Sequence, residues 1–338
     1  MNAADLAATA GALVAPPKGL LAADESFPTI GKRFEALGIP STPETRRAYR
    51  EMLFTTPGLA DSISGAILFD ETMNQTTAAG VPLVEMLWQQ GIMPGIKVDA
   101  GTMLLPGFPG EKITSGLDGL RERLAAYREL GARFTKWRAV IVLDECRPTA
   151  GAIEANAHAL ARFAALSQEA GLVPVVEPEV LMDGNHSLAR CEEATRATLQ
   201  AVFAALFTQR VLLEGMLLKT GMVLPGADSP EQVDAAAVAE ATIRCLRRAV
   251  PAAVPGIVFL SGGQGDVVAT ERLDAIGRTR GGPWRLSFSY GRALQDAAMK
   301  TWRGAAGNAA AAQAALAHRA RCNAAACRGE YTAAMEQR

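Results

Sequence analysis

Lys219 lies inside an otherwise apolar run, GMLLKTGMV over residues 215–223, where a charged amine is costly. Desolvation disfavours an ammonium, so a lysine in a buried strand is paired, snorkels to water, or is used. Two further pairs of ionisable residues share this setting. Lys136 and Arg138 in TKWRA, and Glu177 and Glu179 in VEPEV, are each spaced by two, which puts each pair on one face of an extended strand. Pro178 stiffens the acidic pair and removes a donor where a strand end tolerates the loss. Ion pairs at a sheet rim are one reading of this set. The other is nucleophilic chemistry, because neighbouring cations and burial lower a lysine pKa and free the amine to attack a carbonyl. Moving a lysine from about 10.4 toward 7–8 takes roughly 4 kcal/mol, within reach of a neighbouring ammonium plus burial, with Lys136 the natural partner for Lys219. Once an imine forms, the acids of VEPEV are placed to shuttle protons during its dehydration and hydrolysis.

These residues need a scaffold, and the chain supplies a repeating one. Short apolar runs recur at 19–25, 63–71, 93–99, 133–142, 172–179, 215–223, 256–263 and 285–291. Their brevity, flanking Gly and Pro, and Val/Ile/Phe content predict buried strands. Longer segments of helical periodicity lie between them, such as 152–171, where Ile153, Ala157, Leu160, Ala161, Phe163 and Ala164 fall near one face and Gly171 ends the segment. The pattern predicts an α/β fold, a single (β/α)8 TIM barrel with extra N-terminal and C-terminal helices, with an open doubly wound sheet as the alternative. One domain is expected over 1–338, its barrel core at about 18–304 and a C-terminal helix and tail at 305–338. Nearly every run ends in polar residues: Asp24 and Glu25, Asp70 and Glu71, Lys97 and Asp99, Lys136 and Arg138, Glu177 and Glu179, and Lys219. In a barrel all of these meet at the C-terminal mouth.

The glycine-rich turns LSGGQGD (260–266) and SYGRA (289–293) follow the seventh and eighth runs. Barrels often bind phosphate there, on loop N–H groups and a helix N-terminus, and Arg292 adds a fork of donors. A phosphorylated ligand is the expectation.

Composition narrows the classes. With 338 residues, 49% hydrophobic and 20% charged, the chain can bury a large core. A net charge of −1 leaves no general footprint for nucleic acid or an anionic membrane, so an anion must be met by a focused site. The five cysteines have no framework spacing, which favours reduced thiols and a cytoplasmic setting. Cys322 and Cys327 read as small residues on an Ala-rich helix. The three histidines, His158, His186 and His318, show no zinc-ligand spacing, and no metal site is expected. The N-terminus lacks the early positive charge of a secretory signal, and no apolar run approaches the roughly 18 residues of a membrane span, so a soluble protein is expected.

In order, the strings LLAADES, GKRFEALG, ISGAILFDET, PGIKVDAG, GLDGLRERLAAYRELGARFTKWRAV, LVPVVEPEVLMDGNH, LEGMLLKTGMV, FLSGGQ and FSYGRALQ closely resemble class I, Schiff-base fructose-bisphosphate aldolases, from about residue 18 to 304. The resemblance implies reversible cleavage of fructose 1,6-bisphosphate to dihydroxyacetone phosphate and glyceraldehyde 3-phosphate, without a metal or other cofactor. Lys219 then corresponds to the Schiff-base nucleophile, Asp24 to the group that helps remove the C4 hydroxyl proton, and Glu177 to the acid/base of carbinolamine dehydration. Lys136 and Glu179 would tune charge around the imine. Ser261, Gly262, Gly291 and Arg292 match the C1 phosphate site. Lys97, Arg33, Ser26 and Thr29 match positions near the second phosphate, with Arg138 a further basic residue at the mouth. Sugar phosphates are the implied partners, and a homotetramer the implied assembly.

The chain departs from the family pattern at Phe27-Pro28 and at Thr220-Gly221, and Tyr331 falls short of the terminal position at which animal members carry a tyrosine that aids enamine proton exchange. A packing role is expected for Tyr331, leaving that exchange to Glu177 or water. Sedoheptulose 1,7-bisphosphate or fructose 1-phosphate as main substrate stays open, as does a barrel that binds sugar phosphates without turning them over. A metal-dependent aldolase would want clustered histidines.

Overall fold

Among the residues that the computed structural model describes, 2–279 and 281–337, ten strands form: β1 (Gly19–Ala23), β2 (Ile63–Leu68), β3 (Met93–Lys97), β4 (Thr102–Leu104), β5 (Lys112–Thr114), β6 (Phe134–Ile141), β7 (Val173–Val180), β8 (Leu217–Thr220), β9 (Gly256–Phe259) and β10 (Arg285–Tyr290). Eight of them close into a barrel in the order β1-β10-β9-β8-β7-β6-β3-β2, while β4 and β5 pair as a separate hairpin. All barrel neighbours run parallel, with helices between consecutive strands, so the closed alternative of the sequence reading is the one adopted.

Most strands are shorter than the apolar runs, although β7 extends one residue past its run to Val180. β2 stops at Leu68, and Asp70 already opens the short helix Asp70–Met73; β8 is confined to Leu217–Thr220. The hairpin has no counterpart in the sequence reading. Its first strand is wholly exposed, Leu104 to 68%, so there is no alternating burial for the pattern to reveal.

Inward-facing side chains change character along the barrel axis. At the N-terminal end Leu20, Ala22, Ile67, Phe134, Val173, Val175, Leu217 and Val258 form one apolar cluster, plugged by Leu6, Ala10 and Leu13 of the helix Ala3–Leu13. Phe134 sets the tolerance there: a Cβ on Gly95 would come within 2.3 Å of its ring, so the neighbouring strand has no room for a side chain. One or two pleats further on, the same faces carry Lys136, Arg138, Glu177, Glu179 and Lys219. The sequence thus builds a dry floor and an ionic mouth from single strands.

Outward faces pack under the helices; Trp137, for example, stacks on Phe163 at 5.6 Å between centroids. The Ala-rich segment forms the helix Ala309–Cys327, which buries Ala312, Ala315, Leu316 and Ala320 in the outer core, and Gln313 Nε2 donates to the Met52 carbonyl at 3.1 Å. Cys322 and Cys327 lie on this helix. Tyr331 is buried beyond it, with its hydroxyl donating to Glu336 Oε1 at 2.8 Å.

Candidate active site

The strand ends converge on a cavity of about 950 Å³ at the C-terminal mouth, lined by Asp24, Ser26, Thr29, Arg33, Lys97, Lys136, Arg138, Glu177, Glu179, Lys219, Ser261, Gly262, Gly291 and Arg292 among others. Every residue named as a catalytic or phosphate-binding candidate therefore reaches one space, whereas Glu71, grouped with the strand ends, does not line it and pairs with Arg46 at 2.6 Å. What the sequence could not give is their pairing.

Glu177 of β7 stands between the two lysines. Its Oε1 lies 2.9 Å from Lys219 Nζ on one neighbouring strand and its Oε2 lies 3.1 Å from Lys136 Nζ on the other. Lys136 also meets Asp24 Oδ2 at 2.8 Å across the barrel. All four side chains are largely buried, and they alternate in sign as Lys219, Glu177, Lys136, Asp24. Oε2 of Glu177 is out of reach of solvent and, among the described residues, accepts no well-directed hydrogen bond, which leaves an acceptor site in reserve at the centre of the cluster.

Carboxylates join the crowding of cations that the sequence suggested, with Glu177 set between Lys136 and Lys219. Burial works against the charge of Lys136, but the carboxylates of Asp24, Glu177 and Asp99 outweigh burial and hold the Lys136 pKa well above the ordinary lysine value. The acids move the other way. Burial would raise Asp24, yet Lys136 and Lys219 bring its pKa down to about 2. Burial likewise opposes ionisation of Glu177, and Lys136, Lys219 and Arg138 override it, lowering its pKa. In the resting site Lys136 is a fixed cation between two fixed anions.

The other candidate cations are also committed. Arg138 donates through Nε to Glu179 Oε2, and that carboxylate raises its pKa against the effect of burial. Lys97 Nζ lies 2.6 Å from Asp99 Oδ1. Arg33 bonds Glu25 through one nitrogen and Asp296 at 2.9 Å through the other, so a phosphate near it must compete with two carboxylates. Ser26 and Thr29 bring their hydroxyls within 3.1 Å of each other at the start of the helix Phe27–Glu35. Of the unusual pair beside them, Pro28 lines the cavity. Phe27 is half-exposed, edge-on to Phe69 and covered by the Arg46 guanidinium at 4.7 Å.

Arg292 differs from these. It is exposed, and among the described residues it makes no hydrogen bond or ion pair. It opens the helix Arg292–Trp302, whose N-cap Gly291 has no side chain to satisfy the first N–H groups. Opposite, Gly262 and Gly263 have φ of 59° and 95°, values that favour glycine, and a Cβ on Gly263 would sit 3.5 Å from Arg292 Nη2. Unfilled N–H donors, a free guanidinium and the Ser261 side chain thus face one end of the cavity, the chemistry of a phosphate cradle.

Lys32, Arg123, Tyr127 and Ser289 also line the cavity and were not legible as site residues. Ser289 had a signal: in RLSFSY the hydroxyls at 287 and 289 alternate with aromatics, so they share the inward face. Tyr127, whose hydroxyl donates to Asp70 Oδ1 at 2.7 Å, comes from a helix and had none.

A closed parallel barrel with its ionisable residues gathered at the C-terminal mouth is the architecture of an enzyme. Comparison with known proteins narrows the class. The sequence model of the family described as fructose-bisphosphate aldolase class-I matches residues 5–338. The chain is 55% identical over 332 residues to "Probable fructose-bisphosphate aldolase class 1" of Xanthomonas campestris pv. campestris, covering 98% of this chain and 99% of that protein. It is 50% identical to "Fructose-bisphosphate aldolase 4, cytosolic" of Arabidopsis thaliana, covering 97% and 84% respectively. A solved structure of fructose-bisphosphate aldolase from Plasmodium falciparum, in complex with TRAP and a small-molecule inhibitor, superposes with a TM-score of 0.97 at 48% identity, covering 98% of this chain and 96% of that one. The chain belongs to the class I fructose-bisphosphate aldolase family.

Proposed function

We infer that the protein cleaves fructose 1,6-bisphosphate reversibly into dihydroxyacetone phosphate and glyceraldehyde 3-phosphate, with Lys219 as the Schiff-base nucleophile. The observation that carries this reading is the Glu177 carboxylate held between Lys219 and Lys136 with Asp24 beyond, inside a cavity that has a phosphate cradle at one end. Lys219 attacks C2 of the ketose as a neutral amine, and Glu177 Oε1, 2.9 Å away, is positioned to take its proton. Glu177 then returns a proton to the C2 hydroxyl, water leaves, and an iminium forms. Lys136 keeps Glu177 and Asp24 ionised until they are needed. Asp24 accepts the C4 hydroxyl proton, the C3–C4 bond breaks, and its electron pair flows into the iminium to give an enamine. Glyceraldehyde 3-phosphate departs, C3 is protonated, and water releases the second product from Lys219. Glu179 fixes Arg138 and so tunes the charge next to the imine.

The C1 phosphate is assigned to Ser261, Gly262, Gly291 and Arg292. The second phosphate is assigned to the Ser26–Thr29 turn with Lys97, Arg33 and Arg138, whose present carboxylate partners it would partly replace. Sedoheptulose 1,7-bisphosphate is a second substrate of the same site by this logic, since only the length between the phosphates changes. The mechanism uses no metal. We further propose one domain over 1–338 with its tail packed on the barrel, a homotetramer on family grounds, and a cytoplasmic location, which the name of the Arabidopsis relative supports. No described helix is long and apolar enough to cross a membrane. A coupled assay of fructose 1,6-bisphosphate cleavage tests the reading. Turnover that vanishes in Lys219→Met is expected, and a purified wild-type protein that binds the sugar bisphosphate without turnover would overturn it.

A further inference from the structure

Away from the mouth, three side chains of different chemistry meet where the C-terminal segment folds back on the helix Ala309–Cys327. His318 and Cys322 are four residues apart on this helix and so share a face, and Glu336 reaches them from the final turn Ala333–Glu336. His318 Nε2 lies 3.7 Å from Cys322 Sγ and 3.6 Å from Glu336 Oε2, and the three donor atoms all fall within 4.8 Å of one another. A tetrahedral zinc ion with bonds of about 2.0 Å to nitrogen and about 2.3 Å to sulfur holds such atoms roughly 3.5 Å apart. The two distances from His318 match a shared ion, and the third pair lies within reach of one. Imidazole, thiol and carboxylate together are the donor set of zinc-class ions, whereas magnesium and calcium want oxygen alone.

The surroundings orient these donors. The Tyr331 hydroxyl donates to Glu336 Oε1 at 2.8 Å, and Arg319 grips the same carboxylate while donating to Thr270 Oγ1 at 2.6 Å. Hydrogen bonds of this kind hold a carboxylate ligand in place. They also tie the cluster to the helix Asp266–Thr279, which follows the glycine turn of the cavity. The positive charge of Arg319 disfavours a cation held by charge alone, which leaves the soft thiol and the imidazole to give selectivity.

We propose that His318, Cys322 and Glu336 form a binding site for a zinc-class divalent ion that clasps the C-terminal segment to the helix Ala309–Cys327. Cys322 binds as the thiolate, its proton passing to solvent. None of the three residues lines the cavity, and the site takes no part in the aldol chemistry. The i, i+4 spacing of His318 and Cys322 is present in the sequence, but Glu336 joins them only once the tail has folded.

Cobalt titration of the chelator-treated full-length protein tests this. One equivalent of Co²⁺ should produce a thiolate-to-cobalt charge-transfer band that Zn²⁺ displaces and excess Mg²⁺ does not. Cys322→Ser should abolish the band and Cys327→Ser should keep it. Tyr331→Phe, which removes only a support of the carboxylate, should weaken Co²⁺ binding by about 10-fold. Should Cys322→Ser fail to fold, His318→Gln serves, with weakening of at least about 100-fold expected. No band in the wild type, a band retained in Cys322→Ser, or equal loss in Cys327→Ser would each overturn the proposal. Cleavage of fructose 1,6-bisphosphate should persist after chelation, so the clasp and the catalytic reading stand or fall separately.

Discussion

Replacing Asp24 by Asn removes one of the two anions that hold Lys136, and the structure gives the size of the effect. The protein pulls the Asp24 pKa from 3.8 down to about 2. At 1.36 kcal/mol per unit this corresponds to about 2 kcal/mol of folding stability at neutral pH. The sign follows from the direction: a depressed folded-state pKa gives a contribution that is complete above the unfolded value and lost as the pH falls through the folded one. The stability difference between wild type and Asp24→Asn should therefore be flat from pH 7 to about 5 and fall to about half near pH 3. Urea unfolding at fixed protein concentration, repeated between pH 6 and about 2.5, measures it. A difference that does not change with pH, or one that disappears around the ordinary carboxylate pKa near 4, would refute the account of Asp24 as an anion held by Lys136 and Lys219.

Other variants probe the rest of the site. Glu177→Gln keeps the shape but removes the proton acceptor between the lysines, so kcat should fall roughly 10²- to 10⁴-fold while binding of dihydroxyacetone phosphate persists; equal losses in both would point to a collapsed site. Arg292→Ala should weaken that binding by about 10- to 100-fold, measured by calorimetry, because a charge-assisted bond of about 1.5–3 kcal/mol is removed; unchanged affinity would move the phosphate elsewhere. Tyr331→Phe should leave proton exchange on the enamine at its wild-type rate, as the hydroxyl is bonded to Glu336 rather than facing the cavity, and slower tritium exchange would contradict this.

The barrel was legible because each strand carries its own instructions. An apolar inward face such as Phe134 becomes Lys136 and then Arg138 on a single strand, and period two alone predicts that they point the same way. Several strand ends were read too long where polar mouth residues follow an apolar run, as at Asp70, since composition does not say where hydrogen bonding to the next strand stops, whereas β7 continues through Glu177 and Glu179 to Val180. The β4–β5 hairpin was invisible because burial, the source of the pattern, is missing there. Convergence of the site residues could be read, but not their partners. Lys136 sits opposite Asp24, which is distant in sequence, and that contact helps to hold Lys136 firmly charged. Arg33 likewise carries the residue type of a phosphate ligand, while its engagement with Asp296 depends on two helices that meet only in the fold.

The central claim is that Lys219 becomes covalently bonded to substrate carbon. Incubation with dihydroxyacetone phosphate, reduction by sodium borohydride and peptide mass mapping test it directly, because only an imine is converted into a stable adduct. The account predicts one adduct per chain, confined to Lys219. Phosphate binding without an adduct, or an adduct on Lys136 in its place, would contradict it.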